Sequence, residues 1–269
     1  MTKTAVVVGA VGVIGRYVVE KLASLPDWQV VGLSRRTGEP RERVRYISVD
    51  LTDQKETDAK LSGLKEITHV FYAGFQAPPA GAAANAAANV APNLAMLVNS
   101  VTAEDDRLEA ILPLVKRYGA AVIGLPNDEQ EIPEEPARRV ELTRKLIHVA
   151  TEKYKIDVED IVIDPLAMPV GADTLHPTRT IETIAMIQAE FGVNLTLGAS
   201  NVSFGMPDRH SIAATFLPIA ISHGLTSAIM DARSPQIVRA VKAADLVLNR
   251  DEWGASWIAA HRAAQQAGT

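Results

Sequence analysis

The chain has 269 residues, 47% of them hydrophobic and 22% charged, and a formal net charge of −5. That is the composition of an ordinary globular protein with room for one large α/β domain or two small ones, and its acidic balance gives no electrostatic reason to bind nucleic acid or an anionic membrane. The absence of cysteine excludes disulfides, thiolate metal sites and a cysteine nucleophile, and it fits a cytoplasmic location.

Short apolar runs alternate with amphipathic helical patterns along the chain, which predicts parallel α/β architecture. The first strands are expected at Thr4–Gly9, Val30–Ser34, Val44–Val49 and Thr68–Ala73, with helices at Gly12–Ser24 and Lys55–Leu61. An alanine-, proline- and glycine-rich segment, Gln76–Ala91, follows. Five further strands are expected at Leu97–Ser100, Ala121–Leu125, Ile161–Asp164, Asn194–Gly198 and Thr226–Asp231. Helices are expected at Asp105–Tyr118, Glu134–Lys153, Thr178–Phe191, Asp208–Ser222 and Ser234–Leu248. The apolar stretch Ile212–Met230 is long enough to span a bilayer, but Pro218, His223 and Gly224 interrupt it. It reads as a buried helix, a turn and a strand, and no transmembrane segment is expected.

The first strand runs into Gly9-Ala-Val-Gly12-Val13-Ile14-Gly15 and then a helix. Such a turn lets the backbone approach a pyrophosphate whose charge sits at a helix N-terminus. The second strand ends at Ser34-Arg35-Arg36. Arginines there suit a 2′-phosphate, where an acidic residue would suit a ribose hydroxyl, so NADP(H) is expected over NAD(H). At the third strand's end, Asp50 and Leu51 can reach the adenine. Val6–Arg16, Gly32–Arg36, Val49–Thr52 and His69–Ala73 together resemble the short-chain dehydrogenase/reductases of the progesterone 5β-reductase/iridoid synthase type, and Ala91–Met96 resembles the start of that family's next helix. The resemblance covers about the first hundred residues. It implies a catalytic tyrosine with a nearby lysine, yet the chain's one Tyr-x-x-x-Lys spacing is Tyr17 to Lys21. That pair lies in the helix after the glycine turn, facing solvent or packing.

In a β/α barrel, ligand groups gather at the C-terminal ends of the strands. Asn99, Asp164 and Asn201 are each expected at such an end. A carboxylate accepts bonds from a pterin's amino group and ring N–H, while an asparagine donates and accepts. Leu97–Ser100, Arg107–Lys116, Ile163–Leu166, Gly198–Gly205 and Asp251–Gly254 resemble the methyltetrahydrofolate:corrinoid methyltransferases, relatives of dihydropteroate synthase. The resemblance implies that Asn99 and Asp164 hold the pterin. It also implies that Asn201 is catalytic, assisting at N5 as the methyl leaves for a cobalamin or other corrinoid on a partner protein. That family's first three βα units, with a second pterin-gripping aspartate, would precede Leu97, where this chain has a Rossmann half.

The expected architecture is therefore a Rossmann-type parallel half-sheet, residues 1–96, joined to a partial (β/α) TIM-barrel segment, residues 97–269. The nine strands could also continue as one open sheet, whose uncovered apolar face would leave room for a homodimer. The join within Met96–Glu104 sets a helical preference against a strand, which points to a chimera with impaired methyl transfer. Three alternatives stay open: an NADP-dependent reductase, a folate oxidoreductase using both ligands, and a non-catalytic binding protein. The six histidines are scattered and none has a zinc-protease spacing, so no metal is expected. His176 is the histidine nearest to a ligand-touching position, though a surface role is favoured. Asn127 and Asp128 could line the same mouth.

Overall fold

The structure is a computed structural model and describes residues 3–51, 53–64, 66–72, 97–129 and 132–267. The soft segment Gln76–Ala91 and the expected helix start at Ala91–Met96 lie outside the described residues. Contacts divide the chain into two units, Met1–Val98 with Glu109–Ala121, and Asn99–Leu108 with Val122–Thr269.

In the first unit, strands β1 (Lys3–Val8), β2 (Trp28–Ser34), β3 (Val44–Ser48) and β4 (His69–Tyr72) form a parallel sheet in the order β3-β2-β1-β4. Both faces are covered. Ala5, Val7, Val30 and Val44 pack with Val19 and Leu22 of helix α1 (Val13–Ala23). Val6, Val8, Val31 and Leu33 pack on the other face with Leu61 of α2 (Gln54–Leu61). Burial on both faces is why Ala5–Val8 of β1 is a continuous apolar run with no polar alternation. This is the Rossmann order anticipated from the glycine turn.

The remaining described strands, β5 (Leu97–Thr102), β6 (Ala121–Leu125), β7 (Ile161–Ile163) and β8 (Asn194–Leu195), form a second sheet in simple chain order, with β6, β7 and β8 parallel. Helices α3 (Asp105–Tyr118), α4 (Pro136–His148), α5 (His176–Phe191), α6 (Arg209–Ser222), α7 (Pro235–Val247) and α8 (Ala255–Ala267) alternate with or follow these strands. Sequential order is what a barrel segment requires. Val122, Ile161, Ile163, Leu195 and Leu197 are buried, as are Leu142 and Leu146 of α4 and Ile184 and Ile187 of α5. Gly124 admits Leu146, whose Cδ1 lies only 2.6 Å from where a Cβ would stand.

Four expectations need correction. The described strands form two separate sheets of four, not one sheet of nine. Thr226–Asp231 is an extended segment with a single bridge between Gly198 and Ile229. Main-chain bonds still tie it to the segment after β8, Ser227 N to Leu195 O at 2.9 Å and Ile229 N to Leu197 O at 2.8 Å, while the Leu195 amide donates to the Thr226 hydroxyl at 2.9 Å in place of a carbonyl. β5 runs on to Thr102 because Val101 is buried, so Asn99 lies within the strand, three residues short of its end. The final helix α8 was not anticipated; Asp251 caps it, accepting from Ser256 N and Trp257 N at 2.9 Å. No helix of the described residues is long and apolar enough to cross a membrane.

The glycine turn has no spare room. A Cβ on Gly15 would lie 2.1 Å from Gly9 O, whereas one on Gly63 would meet nothing within 4 Å. Gly15→Ala is expected to destabilise the protein by about 1–3 kcal/mol in urea unfolding, with Gly63→Ala close to neutral. Equal effects would show that the turn relaxes freely.

Candidate functional site

In the first unit the candidate site is built from backbone. Gly9, at φ 73°, turns the chain out of β1, and the amides of Gly9 and Ala10 donate to Leu33 O at 2.8 and 3.1 Å. Gly12 caps α1 with no side-chain hydrogen bond and no acidic residue in the helix's first turn. The first amides of α1 are thus not neutralised by the helix's own carboxylates, which suits an approaching anion. Arg35 and Arg36 are exposed at the end of β2. At the end of β3, Asp50 N donates to Glu56 Oε2 at 3.1 Å, and Leu51 is half-buried. Nothing is described of the side chains of Val13 and Ile14. Tyr17 is 41% exposed and Lys21 is exposed, on a helix surface away from the core.

In the second unit the parallel strands place their C-terminal ends along one edge, and polar residues cluster in the loops that follow. After β7 the chain makes a tight turn, Asp164-Pro165-Leu166. Asp164 Oδ1 accepts from Leu166 N at 2.9 Å, and Leu166 is held at φ 64°. Among the described residues Asp164 makes no other side-chain hydrogen bond, and it is half-buried. Burial pushes this carboxyl up to about 6, against the smaller opposing effects of the Leu166 N–H and the Arg139 guanidinium.

After β8, the short turn Ala199–Asn201 places Asn201 exposed, with its amide group next to Gly198. Arg209 holds this turn from α6: Nη2 donates to Ser200 O at 2.7 Å, and the guanidinium lies 5.4 Å from the Phe204 ring centre. Arg209 escaped the sequence reading, although it lies only four residues beyond the Gly198–Gly205 segment. Asp231 at the end of the next extended segment was also missed. Arg233 binds it in a fork at 2.8 and 3.1 Å and holds its carboxyl down to about 2.

Asn99 is exposed on β5, and among the described residues no hydrogen bond joins it to Asp164 or Asn201. Asn127 follows β6, and its carbonyl accepts from Ala103 N at 2.9 Å. Asp128 pairs with Arg138 at 2.8 Å. His176 departs from its expected surface role. It is 6% exposed at the start of α5, with Nδ1 3.0 Å from Pro169 O. The reason is the long β7–α5 loop, which folds over it.

Glu134, Asp173 and His176 bring their ligand atoms within 4.8 Å of one another, a grouping the scattered spacing of the histidines did not reveal. Arg179 already serves this cluster as its cation, with Nη1 2.9 Å from Glu134 and 3.2 Å from Asp173.

A parallel α/β segment with a carboxylate and an asparagine in successive strand-end loops is the arrangement of a pterin-binding fold. The family described as "Pterin binding enzyme" matches residues 81–231, more than half of the chain, and the chain belongs to that family. The "NAD dependent epimerase/dehydratase family" matches residues 5–107, the Rossmann-type part. The methylcorrinoid:tetrahydrofolate methyltransferase of Eubacterium limosum is 31% identical over 160 residues, covering 58% of each chain. The (S)-8-oxocitronellyl enol synthase of Catharanthus roseus is 42% identical over 79 residues, covering 26% of this chain and 20% of that one. The chain thus spans less than two thirds of the length of either relative. Among solved structures, Yersinia pestis dihydropteroate synthase has a TM-score of 0.55 at 13% identity, covering 92% of this chain and 93% of that one, a likeness of fold.

The raised Asp164 carboxyl has a consequence for stability. Its folded-state value, about 6, lies above the ordinary 3.8, so the folded chain holds the proton more tightly than the unfolded one. The carboxyl's burial therefore destabilises nothing below about pH 4, and its cost grows as pH rises to 6 and stays constant above. That cost is on the order of 2–3 kcal/mol. Asp164→Asn is expected to raise the melting temperature at pH 7.5 and to leave it unchanged at pH 4. A lower melting temperature at pH 7.5 would show that the ionised carboxylate stabilises the fold.

Proposed function

We propose that the chain is a chimera, joined within Met96–Glu104, of an NADP(H)-binding Rossmann half and a pterin-binding segment that takes methyltetrahydrofolate. Its activity is methyl transfer to a corrinoid, impaired by the loss of the barrel's first units. The observation that carries the reading is the Asp164 carboxylate, held at a strand end by a tight turn in which Oδ1 accepts from Leu166 N. The two family matches overlap at residues 81–107, which includes the proposed join, and this supports a splice there.

The residues fit the two ligands. Asp164 accepts from the pterin's amino group and ring N–H, and Asn201 lies in the neighbouring loop to assist at N5; Asn99 is assigned to the same ring on resemblance alone. The corrinoid, carried by a partner protein, supplies the nucleophile. The chain's own groups bind, orient and support charge, so no side chain has to form a covalent bond. The turn Gly9–Gly15 takes the pyrophosphate, Arg35 and Arg36 take the 2′-phosphate, and Asp50 and Leu51 border the adenine. A reductase reading is weaker because Tyr17 and Lys21 stand on an exposed helix surface.

Calorimetric titration with methyltetrahydrofolate and NADPH separately tests the assignment. Binding of both is expected. Folate affinity should fall about tenfold per pH unit below about 6 as Asp164 takes up its proton, because only the ionised carboxylate can accept both pterin N–H bonds. Asn201→Ala should weaken folate binding several-fold and leave NADPH untouched; Arg35→Ala with Arg36→Ala should do the reverse. NADPH binding with no folate binding would defeat the methyltransferase reading.

A further inference from the structure

Among the described residues Arg139 is the largest fully buried side chain, at 0% exposure, and it makes no ion pair. A buried guanidinium without a bound carboxylate calls for an explanation, since taking it out of water is costly. Its hydrogen bonds supply one. Nε donates to Pro133 O at 2.7 Å, and Nη1 donates to both Pro165 O and Leu166 O at 2.9 Å. Nη2 is buried with no partner. One nitrogen thus grips the two carbonyls that flank the left-handed residue Leu166, in the same turn whose amide orients Asp164. Thr180 adds a weaker bond to Leu166 O at 3.3 Å.

We propose that Arg139 is a positioning residue for pterin recognition: from within the core it locks the Asp164-Pro165-Leu166 turn so that the Asp164 carboxylate faces the ligand. The proposal rests on the pterin reading above. Lysine cannot take its place, because a single ammonium on a flexible stem cannot present parallel donors to Pro133 and to the Pro165–Leu166 pair at once. Arg139 also acts on Asp164 through charge, favouring its ionised form. The other charged groups bearing on Arg139 are Arg179 of α5 and Glu134 in the loop before α4.

A double-mutant cycle on methyltetrahydrofolate affinity tests this, using the wild type, Arg139→Lys, Asp164→Asn and the double variant. Arg139→Lys should weaken binding at least tenfold in the wild-type background and less than twofold with Asp164→Asn, since it acts through that carboxylate. An equal loss in both backgrounds would reduce Arg139 to general structural support. Carboxyl-detected NMR titration of Asp164 without ligand, in the wild type and in Arg139→Gln, gives a second readout. Its midpoint should move upward when the guanidinium is removed, and an unmoved midpoint overturns the coupling. A wild type that binds no methyltetrahydrofolate overturns the pterin reading itself, and there the ligand-free titration alone decides whether Arg139 governs Asp164.

Discussion

A parallel sheet forces each strand to return over a face of the sheet before the next can begin, so all the strand C-termini share one edge. Side chains with chemistry collect in the loops on that edge because the backbone below is held by the ladder and the packed core. Both units of this chain obey the constraint. In the first, the edge carries the glycine turn after β1, Arg35 and Arg36 after β2, and Asp50 after β3. In the second it carries Asn127 after β6, the Asp164 turn after β7, and Asn201 in the loop following β8.

The two edges use different physics. In the first unit the proposed recognition surface is made of amides, and side chains are kept out by contact: a Cβ on Gly15 would strike Gly9 O. Its charges, Arg35 and Arg36, stay in solvent at no desolvation cost. The site proposed in the second unit is made of side chains, which have to be fixed. Asp164 is fixed by Leu166 N, the turn by Arg139, and the Asn201 turn by Arg209 reaching Ser200 O. Both turns are held by an arginine that donates to main-chain carbonyls, which fixes the loop without pairing with the side chain it presents.

What could be read from the sequence follows from how local each feature is. The glycine spacing, the strand order of the first sheet and the strand-end positions of Asp164 and Asn201 depend on periodicity and short turns, and these are visible in contiguous residues. Arg139 was invisible because its partners Pro165 and Leu166 lie in the next βα unit, and an arginine in an amphipathic helix ordinarily reads as a solvated charge. His176 failed for a similar reason, since its burial comes from a loop folding back onto the start of α5. Asn99 was misplaced by two flanking residues, Val101 and Thr102, that continue β5 beyond the polar pair taken for its end. The Thr226–Asp231 segment has strand composition and keeps main-chain bonds to Leu195, Leu197 and Ala199, but the Leu195 amide donates to the Thr226 hydroxyl, a local competition that composition does not reveal.

Arg139 and Asp164 together argue that the second unit's mouth is maintained for recognition, not for stability. A buried cation bonded only to carbonyls, one of its nitrogens unpaired, lies near a carboxyl whose burial opposes ionisation. Apolar residues of similar size would fill the same volume at lower free energy, as replacements of buried ionic groups often show. A left-handed leucine in the same turn adds backbone strain. Strain, a desolvated charge and a raised carboxyl all meet within three residues of one strand end. Their common product is a carboxylate held in a fixed direction, which is what the donating ligand proposed for it would require.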